Sequence, residues 1–252
     1  MGIRVTVRRR QINQNRVAAQ FVKPRIYSHA MIRNPHRFQG TSPMKACLLA
    51  AAATFFVAAG SFADDKDAWT PLFNGKDLTG LKVHFKDADK DADPARTFSV
   101  KDGALIVSGK PTCYIYTEKS YKDYVVTFEW RFPEGSAPDS NSGCLVHIQT
   151  PHKVMPKCVE AQGRYRDHGK LFFLGVKGQD AKFDEAAHKK VLKPMGEWST
   201  TEVTCKADGT ISVKLNGVPV ASGKTDLTSG PIGFQSEGWE VHFRNIKIKE
   251  MK

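Results

Sequence analysis

Between Asn141 and Gln162 the chain gathers side chains that exchange protons or bind hydroxyl groups. The segment reads Asn-Ser-Gly-Cys-Leu-Val-His-Ile-Gln, then a connection bearing Pro and Lys, then Cys-Val-Glu-Ala-Gln. Glu160 and His147 are of the types that act as general base or acid. His147 would also suit a metal or a developing oxyanion. Gln162 and Asn141 carry amides suited to a ligand's hydroxyls, although an Asn before a strand also caps turns. Glu129 and Arg131, a little upstream, would hold a polar ligand or pair with each other.

The elements that must position these groups read as strands. Cys144, Val146 and Ile148 alternate with Leu145, His147 and Gln149, and Val159 and Ala161 alternate with Glu160 and Gln162. Within Tyr124–Phe132, the apolar Val126, Phe128, Trp130 and Phe132 alternate with Thr127, Glu129 and Arg131. A period of two puts each set on its own side of a β-strand. If these strands share a sheet, Glu129, Arg131, His147, Glu160 and Gln162 converge on one polar surface. The Gly-, Pro- and Ser-bearing loop Pro133–Ser140 would lie at its rim as a substrate loop.

The rest of the chain fits the same plan. Asp102-Gly103 joins Thr97–Lys101 to Ala104–Ser108, and Asn216-Gly217 joins Thr210–Leu215 to Val218–Ser222. These dipeptides favour tight hairpin turns. Leu81–Phe85, Cys113–Thr117, Leu171–Leu174, Trp198–Lys206, Ile232–Gln235 and Val241–Lys249 complete the strands, and Asp184–Lys190 is the one helical stretch expected. Asp87, Asp89, Asp91 and Asp93 mimic a calcium loop, but Ala92 and Phe98 stand where that motif needs Gly and Glu, which leaves a solvated acidic loop. Regular strand spacing with almost no helix predicts an all-β sandwich of two antiparallel sheets.

Charge and cysteine content depend on where the mature chain starts. Lys45, the apolar run Ala46–Phe62 and the small residue Ala63 have the order of a secretory signal, so residues 44–63 read as a signal peptide and 1–43 as an upstream extension. Residues 1–63 hold 10 Lys and Arg and no acidic residue, so the formal +12 falls to 28 basic against 26 acidic residues over 64–252. A near-neutral domain gives no support to nucleic-acid binding. The expected location is therefore periplasmic or secreted, with no membrane span after cleavage. Cys113, Cys144, Cys158 and Cys205 remain in the domain, either paired or as buried thiols.

Several motifs in order carry a resemblance. They are Leu72-Phe-Asn-Gly-Lys-Asp-Leu-Thr-Gly80, Asn141-Ser-Gly143, Glu160-x-Gln162, Lys193-Pro-Met-Gly-Glu-Trp198, Leu215-Asn-Gly-Val218, Gly230-Pro-Ile-Gly-Phe-Gln235 and Val241-His-Phe-Arg-Asn-Ile246. Together they resemble the 3-keto-disaccharide hydrolase domain family, once a domain of unknown function, over Trp69–Met251. The resemblance implies a jelly roll of the concanavalin A-like lectin/glucanase type. It also implies cleavage of a glycosidic bond in a sugar already oxidised at carbon 3. The ketone acidifies the C2 hydrogen, a base removes it, and the C1 substituent is eliminated before water adds.

On that reading Glu160 and His147 are the catalytic candidates. Glu129, Arg131, Asn141, Gln162 and Arg244 are the substrate-binding ones. No cofactor is required, although a divalent metal could bind through His147 and Glu160. A partner oxidoreductase would supply the keto-sugar. His147 and Ser236-Glu237 depart from the residues usual in the family, Arg and Asp-His, which points to an altered substrate or lost activity. The competing expectation is a non-catalytic carbohydrate-binding module, for which Trp239 and Tyr165 would be stacking platforms.

Overall fold

The computed structural model describes residues 68–251. The expected signal segment and upstream extension lie outside these residues. Among the described residues no helix is long and apolar enough to cross a membrane.

Fifteen strands, two short α-helices and two 3-10 turns, Asp87–Asp89 and Tyr165–Asp167, follow one another among the described residues. They begin with β1 (Thr70–Pro71), β2 (Leu81–Phe85), α1 (Pro94–Thr97), β3 (Phe98–Lys101), β4 (Ala104–Val107), β5 (Cys113–Thr117) and β6 (Tyr124–Arg131). The middle of the chain gives β7 (Gly143–Val146), β8 (Cys158–Gln162), β9 (Leu171–Leu174), β10 (Gly178–Phe183) and α2 (Glu185–Val191). The last part gives β11 (Ser199–Cys205), β12 (Thr210–Leu215), β13 (Val218–Thr225), β14 (Gly233–Ser236) and β15 (Val241–Glu250).

The strands form two antiparallel sheets, as the spacing of strands and turns predicts. One has the order β10-β13-β12-β11-β6-β15-β4-β3, with β1 paired to β15. The other has the order β2-β5-β14-β7-β8-β9. Both expected hairpin turns form, with positive φ at Asp102 and Gly103 and at Asn216 and Gly217. Strand β10 was not expected. Its sequence, Gly-Gln-Asp-Ala-Lys-Phe, is almost wholly exposed at a sheet edge and carries no apolar alternation. The acidic loop forms a 3-10 turn at Asp87–Asp89, and Asp93 caps α1 by accepting from Ala95 N at 2.9 Å.

The inner faces of the two sheets make the core. Val126, Phe128 and Trp130 of β6 and Phe243, Ile246 and Ile248 of β15 meet Cys144 and Val146 of β7, Val159 and Ala161 of β8 and Phe234 of β14. Phe128 sets its edge against Phe234 across the gap, with centroids 5.1 Å apart at 84°. A fully buried ring of this kind contributes roughly 1.5–3 kcal/mol by removing apolar surface from water. Cys113, Cys144, Cys158 and Cys205 are all free and buried.

Candidate active site

The residues expected to converge are distributed over three places. Strand β6 pairs with β11 and β15, not with β7, so Glu129 and Arg131 belong to the larger sheet. Arg244 joins them there, where its Nε donates to Glu129 Oε2 at 2.7 Å. Asn245 Nδ2 donates to Glu129 Oε1, also at 2.7 Å. Glu129 and Arg244 therefore satisfy each other on the outward face of that sheet. The expected single polar surface is corrected on this point.

His147 is corrected as well. Strand β7 ends at Val146, and His147 takes a left-handed φ of 55°. That one residue reverses the alternation. Ile148 turns outward to join Tyr114, Leu145 and Cys158, while the imidazole turns inward, edge-on to Tyr124 at 5.7 Å. His147 Nδ1 donates to Leu227 O at 3.1 Å and Nε2 has no partner. Burial holds the ring down at about 4, with only the Leu227 hydrogen bond opposing it. The imidazole packs in the core against Tyr124, on the inner side of the sheet whose outer side carries Glu160. Among the described residues no three His, Cys, Asp or Glu side chains gather in an arrangement fit for a metal ion.

Glu160 and Gln162 remain, on the outward face of the six-stranded sheet. Val159 and Ala161 enter the core, so the pleat sends Cys158, Glu160 and Gln162 the other way. Register pairs Glu160 with Leu145 on one side and Phe172 on the other, and Gln162 with Gly143. Gly233 and Phe234 pair with Leu145 and Cys144, which sets Gln235 beside Gly143. Gln235 in turn pairs with Tyr114, and Tyr114 with His84. One row across the face therefore reads His84, Tyr114, Gln235, Gly143 and Gln162.

Gly143 is the space-maker of this row. A Cβ there would lie 2.1 Å from Gln235 Oε1 and 2.6 Å from Glu160 Oε1. Both side chains lean over the bare backbone. Glu160 is only 4% exposed, makes no ion pair among the described residues, and has its carboxyl pushed up to about 8. Burial is the main cause, followed by the charges of Glu237 and Asp167, with Arg164 opposing. Gln235 Oε1 and Asn141 Oδ1 are buried acceptors without partners. Such groups suit a bound ligand's hydroxyls.

Charged neighbours close one end of the row. Arg164 grips Asp167 with Nε at 2.8 Å from Oδ1, and its backbone N–H donates to Gln162 Oε1 at 3.0 Å. Burial also raises the Glu237 carboxyl, again against Arg164. Aromatic and imidazole groups close the other end. Tyr114 Oη and His152 Nδ1 are 2.7 Å apart, and His152 lies over Tyr116 with centroids at 4.5 Å. Burial lowers the pKa of both His84 and His152, which favours the uncharged rings. Next to this end, Thr150, Met155, Lys157 and Leu174 line a groove of about 460 Å³.

Sequence reasoning missed Gly143, Tyr114, Gln235, His84 and His152 as site residues. The alternation in Cys113–Thr117, with Tyr114 and Tyr116 opposite Cys113 and Ile115, carried the signal for the tyrosines. Trp239 is exposed, two residues beyond Glu237, as a stacking platform would be. Tyr165 is instead tied down by its hydroxyl, which donates to Lys193 O at 2.9 Å.

Comparison with known proteins agrees with this architecture. Two crystal structures of candidate glycosyl hydrolases from Parabacteroides distasonis ATCC 8503 superpose with TM-scores of 0.55 and 0.52, at 23% and 24% identity. Each match covers 73% of this chain, and 100% and 94% of the respective structure. A Bacillus subtilis protein of unknown function with a galectin-like fold superposes with a TM-score of 0.51 at 14% identity, covering 73% of this chain and 94% of its own. These likenesses share the sandwich fold. No curated protein matches the sequence. A family model for the 3-keto-alpha-glucoside-1,2-lyase-like domain matches residues 68–249, the whole of the sandwich apart from the end of β15, and the chain belongs to that family.

Proposed function

We propose that this protein cleaves the glycosidic bond of 3-keto-glycosides by elimination, with Glu160 as the base. The observation that carries the reading is Glu160 itself. It is a buried carboxyl without an ion pair, aimed at the outward face beside an unpartnered amide oxygen. With its carboxyl near 8, about a tenth is ionised at pH 7. A desolvated carboxylate of this kind is a stronger base than one in water, matched to a carbon acid beside a ketone.

The chemistry balances without a second carboxylate. Glu160 takes the C2 proton, and the C2–H electrons form the C1=C2 bond as the bond from C1 to the glycosidic oxygen breaks. The proton now on Glu160 returns to the departing oxygen, so the aglycone leaves as an alcohol. Water then adds across the double bond to give the free 3-keto sugar. Gln235 and Gln162 orient ring hydroxyls. Tyr114 is buried about 10 Å from Gly143, two strand spacings along the row, and its hydroxyl orients the half-buried His152, which is the group left to meet the far end of the substrate. The substrate must first be oxidised at carbon 3, so an oxidoreductase acting on glycosides stands upstream.

The test is incubation of the purified domain with a 3-keto-glucoside in D₂O. Released sugar and deuterium at C2, both lost in Glu160→Gln with the fold intact, are the expected results. Undiminished turnover in Glu160→Gln would remove Glu160 from the reaction. The second reading, a sugar-binding module, is favoured by exposed Trp239. Binding of unoxidised glycans with no release from keto-glycosides would select it.

A further inference from the structure

The outward face of the larger sheet, opposite to Glu160, carries a second built feature. Arg131 and Arg244 both lie over the indole of Trp198, with guanidinium carbons 4.6 and 4.1 Å from the ring centroid. They line a pocket of about 210 Å³ together with Lys101, Asp102 and His242. Arg244 is paired with Glu129 at 2.7 Å, so Arg131 is the guanidinium whose charge only the π-face of the ring offsets.

The hydrogen bonds orient Arg131 without neutralising it. Its Nε donates to His242 Nδ1 at 3.3 Å and its Nη1 to Gly196 O at 3.4 Å, both uncharged acceptors. An imidazole that accepts at Nδ1 carries its proton at Nε2, which here faces Glu240 Oε1 at 2.8 Å. Glu129 is occupied by Arg244 Nε and Asn245. Among the described residues Arg131 forms no ion pair, and the carboxylate left in the wall, Asp102, sits on an exposed hairpin turn. The result is a fixed guanidinium fork facing a small cavity, next to a second guanidinium with free N–H groups.

From this geometry we propose an oxyanion-binding site on the back sheet, built by Arg131, Arg244 and Trp198, that takes a sulfate or carboxylate group. A planar fork binds such groups through two parallel N–H donors, which a lysine cannot do. An anion seated there would give Arg131 the counter-charge that Arg244 already has in Glu129. The ligand is an oxyanion either free in solution or borne by an acidic saccharide. The site does not depend on the catalytic reading, because it lies on the other sheet.

The experiment titrates the protein with sodium sulfate, glucose 6-sulfate and glucuronate at constant ionic strength. Binding is followed by tryptophan fluorescence, with Trp198→Phe to identify the reporting ring. Saturable binding in the millimolar range is expected, weakened about tenfold or more in Arg131→Gln and only partly restored by Arg131→Lys. Keto-glycoside turnover in Arg131→Gln should stay at the wild-type level. Arg244→Gln serves as a second, independent variant if Arg131→Gln fails to fold. Tighter binding of glucose 6-sulfate than of sulfate identifies an acidic saccharide as the ligand, and equal binding identifies the free ion. Absence of saturation with all three probes, or binding indifferent to both arginines, overturns the proposal.

Discussion

Glu160 and Gln235, from strands that are not neighbours, bring their Oε1 atoms over the same glycine, Gly143 of the strand between them. The amide oxygen has no protein partner, and the carboxyl is held largely protonated at neutral pH. That relationship is the physical centre of the proposed site.

Removing the proton-accepting group should remove the chemistry and leave the fold. Glu160→Gln keeps the shape of the side chain and cannot take a proton. Turnover and C2 exchange should fall about 10²–10⁴-fold, the usual contribution of a general base, with an unchanged circular dichroism spectrum.

Gly143→Ala separates packing from function. The φ of Gly143 is not left-handed, so the backbone accepts alanine, and the atoms in the way are the ends of two flexible side chains. Thermal unfolding should show a loss of less than about 1 kcal/mol, below the usual cost of overpacking a rigid core. Activity should fall far more, because both Glu160 and Gln235 must move aside. A large stability loss with retained specific activity would contradict this geometry.

The rate should rise with pH through about 8, as Glu160 loses its proton. Arg164 is the charge that opposes that rise in pKa. Arg164→Gln should therefore move the midpoint of the kcat/KM profile to higher pH, and a midpoint that stays or moves down would place the titrating group elsewhere.

Stability should bend at both ends of the pH range. The folded protein keeps the Glu160 proton up to about 8, whereas the unfolded chain releases it near 4.5. The stabilisation from this proton is therefore full below 4.5 and is lost as pH rises towards 8. His147 acts with the opposite sign. Its folded value of about 4 lies below the ordinary 6.5, so the unfolded chain takes the proton first and stability falls as pH drops from 6.5 to 4. Urea unfolding across this range, repeated with Glu160→Gln, should show the alkaline slope flatten in the variant.

Thr201 should be costly to replace although it is far from the chemistry. Its hydroxyl accepts from Trp130 Nε1 at 2.9 Å and lies 2.7 Å from His168 Nε2, whose ring stacks on Trp130 with centroids 3.9 Å apart. Thr201→Val would leave two buried polar atoms without a partner. A loss of about 1–3 kcal/mol in chemical denaturation, with normal turnover, is expected.

The sandwich was legible in the residue order alone. Period-two apolar alternation specifies strands whatever their partners, and Asp102-Gly103 and Asn216-Gly217 specify hairpins because their left-handed geometry is local. The residue order also determined that Glu160 and Gln162 leave β8 on one side, since Val159 and Ala161 must enter the core. Sheet membership was settled only by tertiary structure. Strand β6 reads equally well beside β7, and its real neighbours, β11 and β15, are chosen by packing across long chain separations. A left-handed His147, held against Tyr124 and Leu227, broke an alternation that the residue types could not reveal as broken. The basicity of Glu160 was equally out of reach, because burial and the fields of Glu237, Asp167 and Arg164 exist only once distant segments are folded together.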